Sequence, residues 1–121
     1  MLIKGIDVAY LHSSESNLGQ WYADTFDLQK GYWDAHWQEL KTEQGSRFAV
    51  DVTGFPRSPV EKQAVMLSFL VDDIYAAVQE LSRRGVRFYP SLERAVFDAG
   101  PSLVATFADP DGNWMQLSQR K

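Results

Sequence analysis

The chain has 121 residues, 45% of them apolar and 23% charged, which suits one folded domain with a real core and is unlike a disordered or collagen-like sequence. Twelve Lys and Arg against sixteen Asp and Glu give a net charge of −4, and with no long basic run a nucleic-acid partner is not expected. The absence of cysteine excludes disulfides, thiolate nucleophiles and zinc fingers, and leaves His12 and His36 as the only imidazoles.

Leu2 to Leu11 are mostly β-formers, and "HSSESN" supplies four short side chains able to cap a helix: Ser13, Ser14, Ser16 and Asn17. Leu18, Trp21, Tyr22 and Phe26 then recur at helical spacing, so the first unit reads as strand then helix with Trp21 in its core stripe. "GYWDAHWQELKT" and "RFAVDVTG" read as meander strands around "EQGS", where Gly45 can take the positive φ of a hairpin bulge. In the second of these, Phe48 and Val50 alternate with Ala49 and Asp51, and a cavity-facing Asp51 is preferred. "FPRSPVEKQ", residues 55–63, has two prolines, three charges and no periodicity, and reads as a linker.

"AVMLSFLVDDIYAAVQELSRRGV" repeats the opening logic. A strongly apolar strand ends at Asp72-Asp73, a helix cap; Ile74, Ala77, Val78 and Leu81 form the buried stripe, and Gly85 suits the left-handed residue after the helix. Short strands follow in "RFYP", "RAVFD" and "SLVATFAD". In "DPDGN", Pro110 presets φ, Asp109 can cap the turn and Gly112 can take positive φ before the last strand. On that strand Trp114 and Gln116 share one face, while Met115 and Leu117 share the other, under a helix.

The two halves follow one order, strand, helix and then a three-strand ribbon, offset by about 59 residues when Asp7 is set against Met66. The expected organisation is a single α+β domain: module 1 (1–54), the linker 55–63 and module 2 (64–121), two βαβββ modules with curved mixed sheets around a central cavity. No run approaches the ~20 apolar residues of a membrane span. "MLIKGIDVAY" lacks a signal peptide's apolar stretch and cleavage site, so a cytoplasmic protein with no membrane partner is expected.

"SFLVDDIYAAVQELSRRGVRF" followed by "FADPDGNWMQL" resembles the second half of a vicinal oxygen chelate protein, the superfamily of glyoxalases, extradiol dioxygenases and bleomycin-resistance proteins. "GIDVAYLHSSESNLGQWYADTFDL", with its Trp21-Tyr22 pair, resembles the family's opening strand and helix. The resemblance implies metal-ligand positions at Asp7, Met66 and Gln116, with a further acidic position near Ala49, whose nearest carboxylate on that face is Asp51. A carboxylate, a thioether and an amide suit a hard divalent cation poorly. His12 has the wrong parity from Asp7 to share its strand face, and His36 belongs to another strand or turn.

The resemblance therefore implies a small-molecule binding protein of the bleomycin-resistance kind, with no cofactor and no catalytic metal expected. Trp114 with Trp33 or Trp37 would supply stacking area, and Asp7, Asp51, His36, Met66 and Gln116 would line the site. An aromatic or cationic ligand suits such walls. The alternatives are a metal-dependent lyase, isomerase or dioxygenase with an atypical ligand set, a metal-independent enzyme using Asp7, Asp51 or His36, and an interaction protein that has lost the pocket. A homodimer is expected, since paired modules of this family often assemble across a twofold.

Overall fold

The structure, a computed structural model, describes residues 1–2, 6–14, 17–52 and 65–121. It divides into two compact units, Met1–Ser58 and Pro59–Lys121. The linker expected over 55–63 lies outside the described residues.

The first unit contains β1 (Ala9–His12), α1 (Leu18–Phe26), β2 (Gln29–Trp33), β3 (Trp37–Lys41) and β4 (Arg47–Asp51), with sheet order β1-β4-β3-β2. β1 runs parallel to β4 and the other pairs are antiparallel, so the sheet is mixed. The apolar pair Phe48 and Val50 goes under the helix, where Phe48 meets Tyr22 edge-to-face at 4.8 Å. Burial of these rings and of Leu18 and Leu40 is what fixes the strand faces, because slipping the register by one residue would turn every apolar side chain outward.

Helix α1 approaches the sheet through Gly19. Its amide donates to Gln38 Oε1 at 3.0 Å, and a Cβ on Gly19 would lie 2.3 Å from that oxygen, so only a glycine permits this approach. The close approach rotates the buried stripe toward Gly19 and Ala23, leaving Trp21 half-buried at its margin, packed on Tyr22 and Phe26, where the periodicity predicts a core position. Asn17 occupies the N-cap without a side-chain cap hydrogen bond, and the helix ends at Asp27 in the left-handed region, φ 55°.

The second unit contains β5 (Ser68–Leu70), α2 (Ile74–Arg83), β6 (Phe88–Tyr89), β7 (Val96–Asp98), β8 (Ser102–Ala108) and β9 (Trp114–Arg120). β5 is parallel to β9, β9 antiparallel to β8, and β6 and β7 occupy successive stretches of the far edge of β8. Four short segments thus build a three-strand ribbon. The α2 stripe is buried at Ile74, Val78 and Leu81, while Ala77 is half-buried at its margin. Asp73 caps the helix by accepting from the Ala76 amide at 3.1 Å, and Gln119 Oε1 accepts from the Ile74 amide at 2.8 Å. Gly85 follows the helix at φ 94°.

The turn before β9 is built on the buried carboxylate of Asp109. Its Oδ1 accepts from the amides of Asp111 (3.0 Å) and Asn113 (2.8 Å), and its Oδ2 accepts from Asn113 Nδ2 (2.8 Å). Gly112 supplies φ 86°. Met115 and Leu117 leave this turn facing the core, both essentially fully buried. Among the described residues no helix is long and apolar enough to cross a membrane. The architecture is the expected α+β arrangement of paired βαβββ units with mixed sheets.

Candidate functional site

In the first unit the sheet face opposite α1 carries three rows of side chains, set by the register. His12, Asp51 and Trp37 form one row across β1, β4 and β3; Tyr10, Ala49 and Glu39 form the next; Arg47 and Lys41 follow. Ala49 in the middle has only a methyl group, so the rings of Tyr10 and Trp37 meet across β4 with centroids 5.1 Å apart. The His12 ring stands edge-on to Tyr10 at 5.7 Å. Tyr10 is half exposed.

The carboxylates of this face have partners. Arg47 grips Glu39 through Nε to Oε1 (2.9 Å) and Nη2 to Oε2 (2.8 Å), and its Nη1 donates to Asp7 Oδ1 at 3.0 Å. Trp37 Nε1 donates to Glu39 Oε2 at 3.2 Å, which fixes the indole plane. The Arg47 guanidinium and the Trp37 indole hold the Glu39 carboxyl down at about 2. Beyond Trp37, Nδ1 of His12 lies 3.1 Å from Oδ2 of Asp51, whose side chain is only 4% exposed.

The candidate residues of this unit therefore separate. Trp37 and Asp51 stand side by side on the open face, as neighbours in one row. Asp7 precedes β1, is 85% exposed and reaches the same face only through Arg47. Trp33 pairs with Gln38 across a register irregularity in β2, and so lies on the helix side with Lys30 Nζ over its ring at 4.3 Å. His36 is exposed in the β2–β3 turn, its amide donating to Asp34 Oδ1 at 2.8 Å. The His36 and Trp37 amides hold the Asp34 carboxyl below its ordinary value.

His12 requires a correction. Parity counted from Asp7 sets it off the face, but the strand begins at Ala9, and the parallel register places His12 directly opposite Asp51. Glu39, Arg47 and Tyr10 are likewise members of the face that sequence reasoning missed. The available signal was alternation: Trp37 and Glu39 on one strand, and Arg47, Ala49 and Asp51 on the next, share the period of two.

In the second unit the face opposite α2 carries Trp114 and Gln116 on β9, Thr106 on β8, Ser68 on β5 and Tyr89 on β6, each following from the pairings. Tyr89 and Trp114 meet with centroids 4.6 Å apart, and Trp114 is 42% exposed. Gln116 Oε1 accepts from Ser68 Oγ at 3.0 Å. The residue opposite Gln116 is thus Ser68, while Met66 lies two positions before it, outside the strand and 46% exposed. A cavity of about 480 Å³ opens in this unit beside Tyr89, between Ser82 at the end of α2 and the segment from Val86 to Leu92.

The ligand positions that the fold implies, Asp7, Met66 and Gln116, do not fit a catalytic divalent metal. Asp7 is already paired with Arg47, Gln116 offers a neutral oxygen that accepts from Ser68, and Met66 contributes only a soft thioether. Among the described residues no three His, Cys, Asp or Glu side chains converge on one point.

Paired βαβββ units with mixed sheets, in which the first strand of each unit runs parallel to the last, define a glyoxalase-type chain. The sequence profile of the glyoxalase/bleomycin resistance protein/dioxygenase superfamily matches residues 19–117, and the chain belongs to that superfamily. Among solved structures it is similar to a putative glyoxalase family protein from Bacillus anthracis (TM-score 0.75, 18% identity, covering 100% of this chain and 98% of that one). It is also similar to TnmS3, an antibiotic binding protein from Streptomyces sp. CB03234 (TM-score 0.74, 19% identity, 100% and 99%). A third similar structure is an integron cassette protein from the mobile metagenome of V. cholerae (TM-score 0.74, 18% identity, 100% and 98%). No curated protein is similar enough in sequence to count as a relative.

Proposed function

We propose that this protein binds planar aromatic small molecules on the open, ring-bearing faces of its sheets, and does so without a resident metal or other cofactor. The observation that carries the reading is that each unit exposes a tyrosine–tryptophan pair on the face away from its own helix, Tyr10–Trp37 at 5.1 Å and Tyr89–Trp114 at 4.6 Å. In each pair one ring is exposed, Tyr10 at 50% and Trp114 at 42%, and the other is part-buried, so the pair offers a ligand a pre-set apolar surface at low entropy cost. Beside Trp37 the Glu39 carboxylate is already matched by Arg47, so a ring can settle there without stranding that ion. That a structurally similar protein, TnmS3, is an antibiotic binding protein supports the same reading.

Titration with planar aromatic compounds, a cationic one such as ethidium and an uncharged one such as 4-nitroanisole, tests this. Saturable quenching of tryptophan fluorescence, lost in Trp37→Ala or Trp114→Ala, is the expected result. No quenching with either compound removes the reading. We further propose a homodimer that uses an exposed sheet edge; a monomer in sedimentation at micromolar concentration contradicts it. Elemental analysis of the purified protein, expected to show no stoichiometric metal, tests the metal-free part of the proposal.

A further inference from the structure

We infer that His12 and Asp51 form a proton-accepting site that binds planar ligands bearing a weakly acidic hydroxyl, a phenol or an enol, in their anionic form. The inference rests on the binding function proposed above and adds to it a ligand class and a chemical step. It involves none of Asp7, Met66 and Gln116.

Nδ1 of His12 faces Oδ2 of Asp51 at 3.1 Å. That contact assigns the Nδ1 proton to the carboxylate side and leaves the Nε2 lone pair on the opposite edge of the ring. Among the described residues nothing hydrogen-bonds to Nε2, and 29% of the His12 side-chain surface is exposed. Asp51 is 4% exposed and held in place by backbone on both sides: the Ser13 amide donates to its carbonyl at 3.0 Å, and its register partners are His12 on β1 and Trp37 on β4's other neighbour, β3. A buried carboxylate behind an imidazole orients the ring and stabilises the positive charge that forms when Nε2 takes a proton.

The groups facing His12 leave that chemistry intact. β1 itself contributes Tyr10, edge-on at 5.7 Å; β4 contributes Asp51, and farther along it Arg47; β3 contributes Trp37 and Glu39. Glu39 is committed to Arg47 and Trp37, and Arg47 to Glu39 and Asp7, whereas the Nε2 edge of His12 is open. A flat ring on Tyr10 and Trp37 would bring a ring substituent toward His12.

The step balances without a co-reactant. The ligand's O–H bond breaks, an Nε2–H bond forms, the electron pair stays on the ligand oxygen, and the resulting anion accepts a hydrogen bond from the imidazolium. Asp51 keeps its charge throughout and acts as a positioning residue.

The test compares 4-nitrophenol, whose anion absorbs in the visible, with 4-nitroanisole, which has the same ring and no proton to give. At a pH below the solution midpoint of 4-nitrophenol, the wild type is expected to produce the nitrophenolate band saturably and to bind the phenol about tenfold more tightly than the anisole, the size of one charge-assisted hydrogen bond. His12→Gln removes the band and the preference, while 4-nitroanisole still quenches tryptophan fluorescence. Asp51→Asn, checked for folding by circular dichroism, weakens the band; should it fail to fold, His12→Gln decides alone. An undiminished band in His12→Gln, or equal affinity for the two compounds in the wild type, overturns the inference and leaves the binding function standing. Absence of quenching by either compound overturns both.

Discussion

Glu39→Gln isolates the electrostatic centre of the first unit's open face. The amide keeps the shape and can still accept from Trp37 Nε1, but it loses the charge that Arg47 meets at 2.9 and 2.8 Å. The Glu39 carboxyl is held at about 2 against an ordinary 4.5. At ~1.4 kcal/mol per pH unit, this interval corresponds to roughly 3–4 kcal/mol. Arg47 is 36% exposed, so solvent screens part of the interaction and about 1–2 kcal/mol is the expected loss at neutral pH. A carboxyl whose folded value is depressed stabilises the protein above its unfolded value, and that stability drains away as pH falls from 4.5 toward 2. Urea denaturation of wild type and variant should therefore differ by about 1–2 kcal/mol at neutral pH, and by less than half as much at about pH 3. A gap that stays constant across this range, or no gap at neutral pH, would refute the assignment of Arg47 as the cause.

Other substitutions test the packing and the site. Asp109→Ala should cost about 2 kcal/mol, since three donors lose a buried charged acceptor and the turn feeding β9 loosens; a thermal melt checks it. Gly19→Ala should destabilise by about 1–3 kcal/mol through the clash with Gln38 and the lost amide bond, again visible in a melt. Trp114→Ala, at a 42% exposed position, should change stability by about 1 kcal/mol or less while reducing quenching by ethidium. Thermal shifts with manganese, iron, nickel and zinc should be negligible, given donors that are paired, neutral or soft.

The parts of the fold legible in the sequence are those where several local signals coincide. Helix α2 has its stripe, the Asp73 cap and Gly85; the last turn has Asp109, Pro110 and Gly112; and β9 alternates apolar with polar side chains. The face of β4 was legible as a preference, because Phe48 and Val50 are the more apolar pair and the helix takes them. The site was harder because it depends on pairing between distant segments. Neither the start of β1 at Ala9 nor its parallel register with β4 leaves a local trace, so the partnership of His12 with Asp51 could not be counted out from Asp7. The irregularity in β2 is similarly silent, yet it sends Trp33 to the helix side while Trp37 faces out. The glycine that admits α1 to the sheet also looks ordinary until Gln38 is found against it.

The four tryptophans offer the most direct test of the central claim, since each indole N–H gives its own signal in a ¹H–¹⁵N spectrum and single Trp→Phe variants assign them. Trp37 and Trp114 lie on the open sheet faces, Trp21 on α1 and Trp33 on the helix side of β2. On titration with 4-nitroanisole or ethidium, the Trp37 signal, the Trp114 signal or both should move and saturate, with Trp21 and Trp33 unmoved. Saturating shifts confined to Trp21 and Trp33, or four signals that stay still, would contradict binding at the ring-bearing faces.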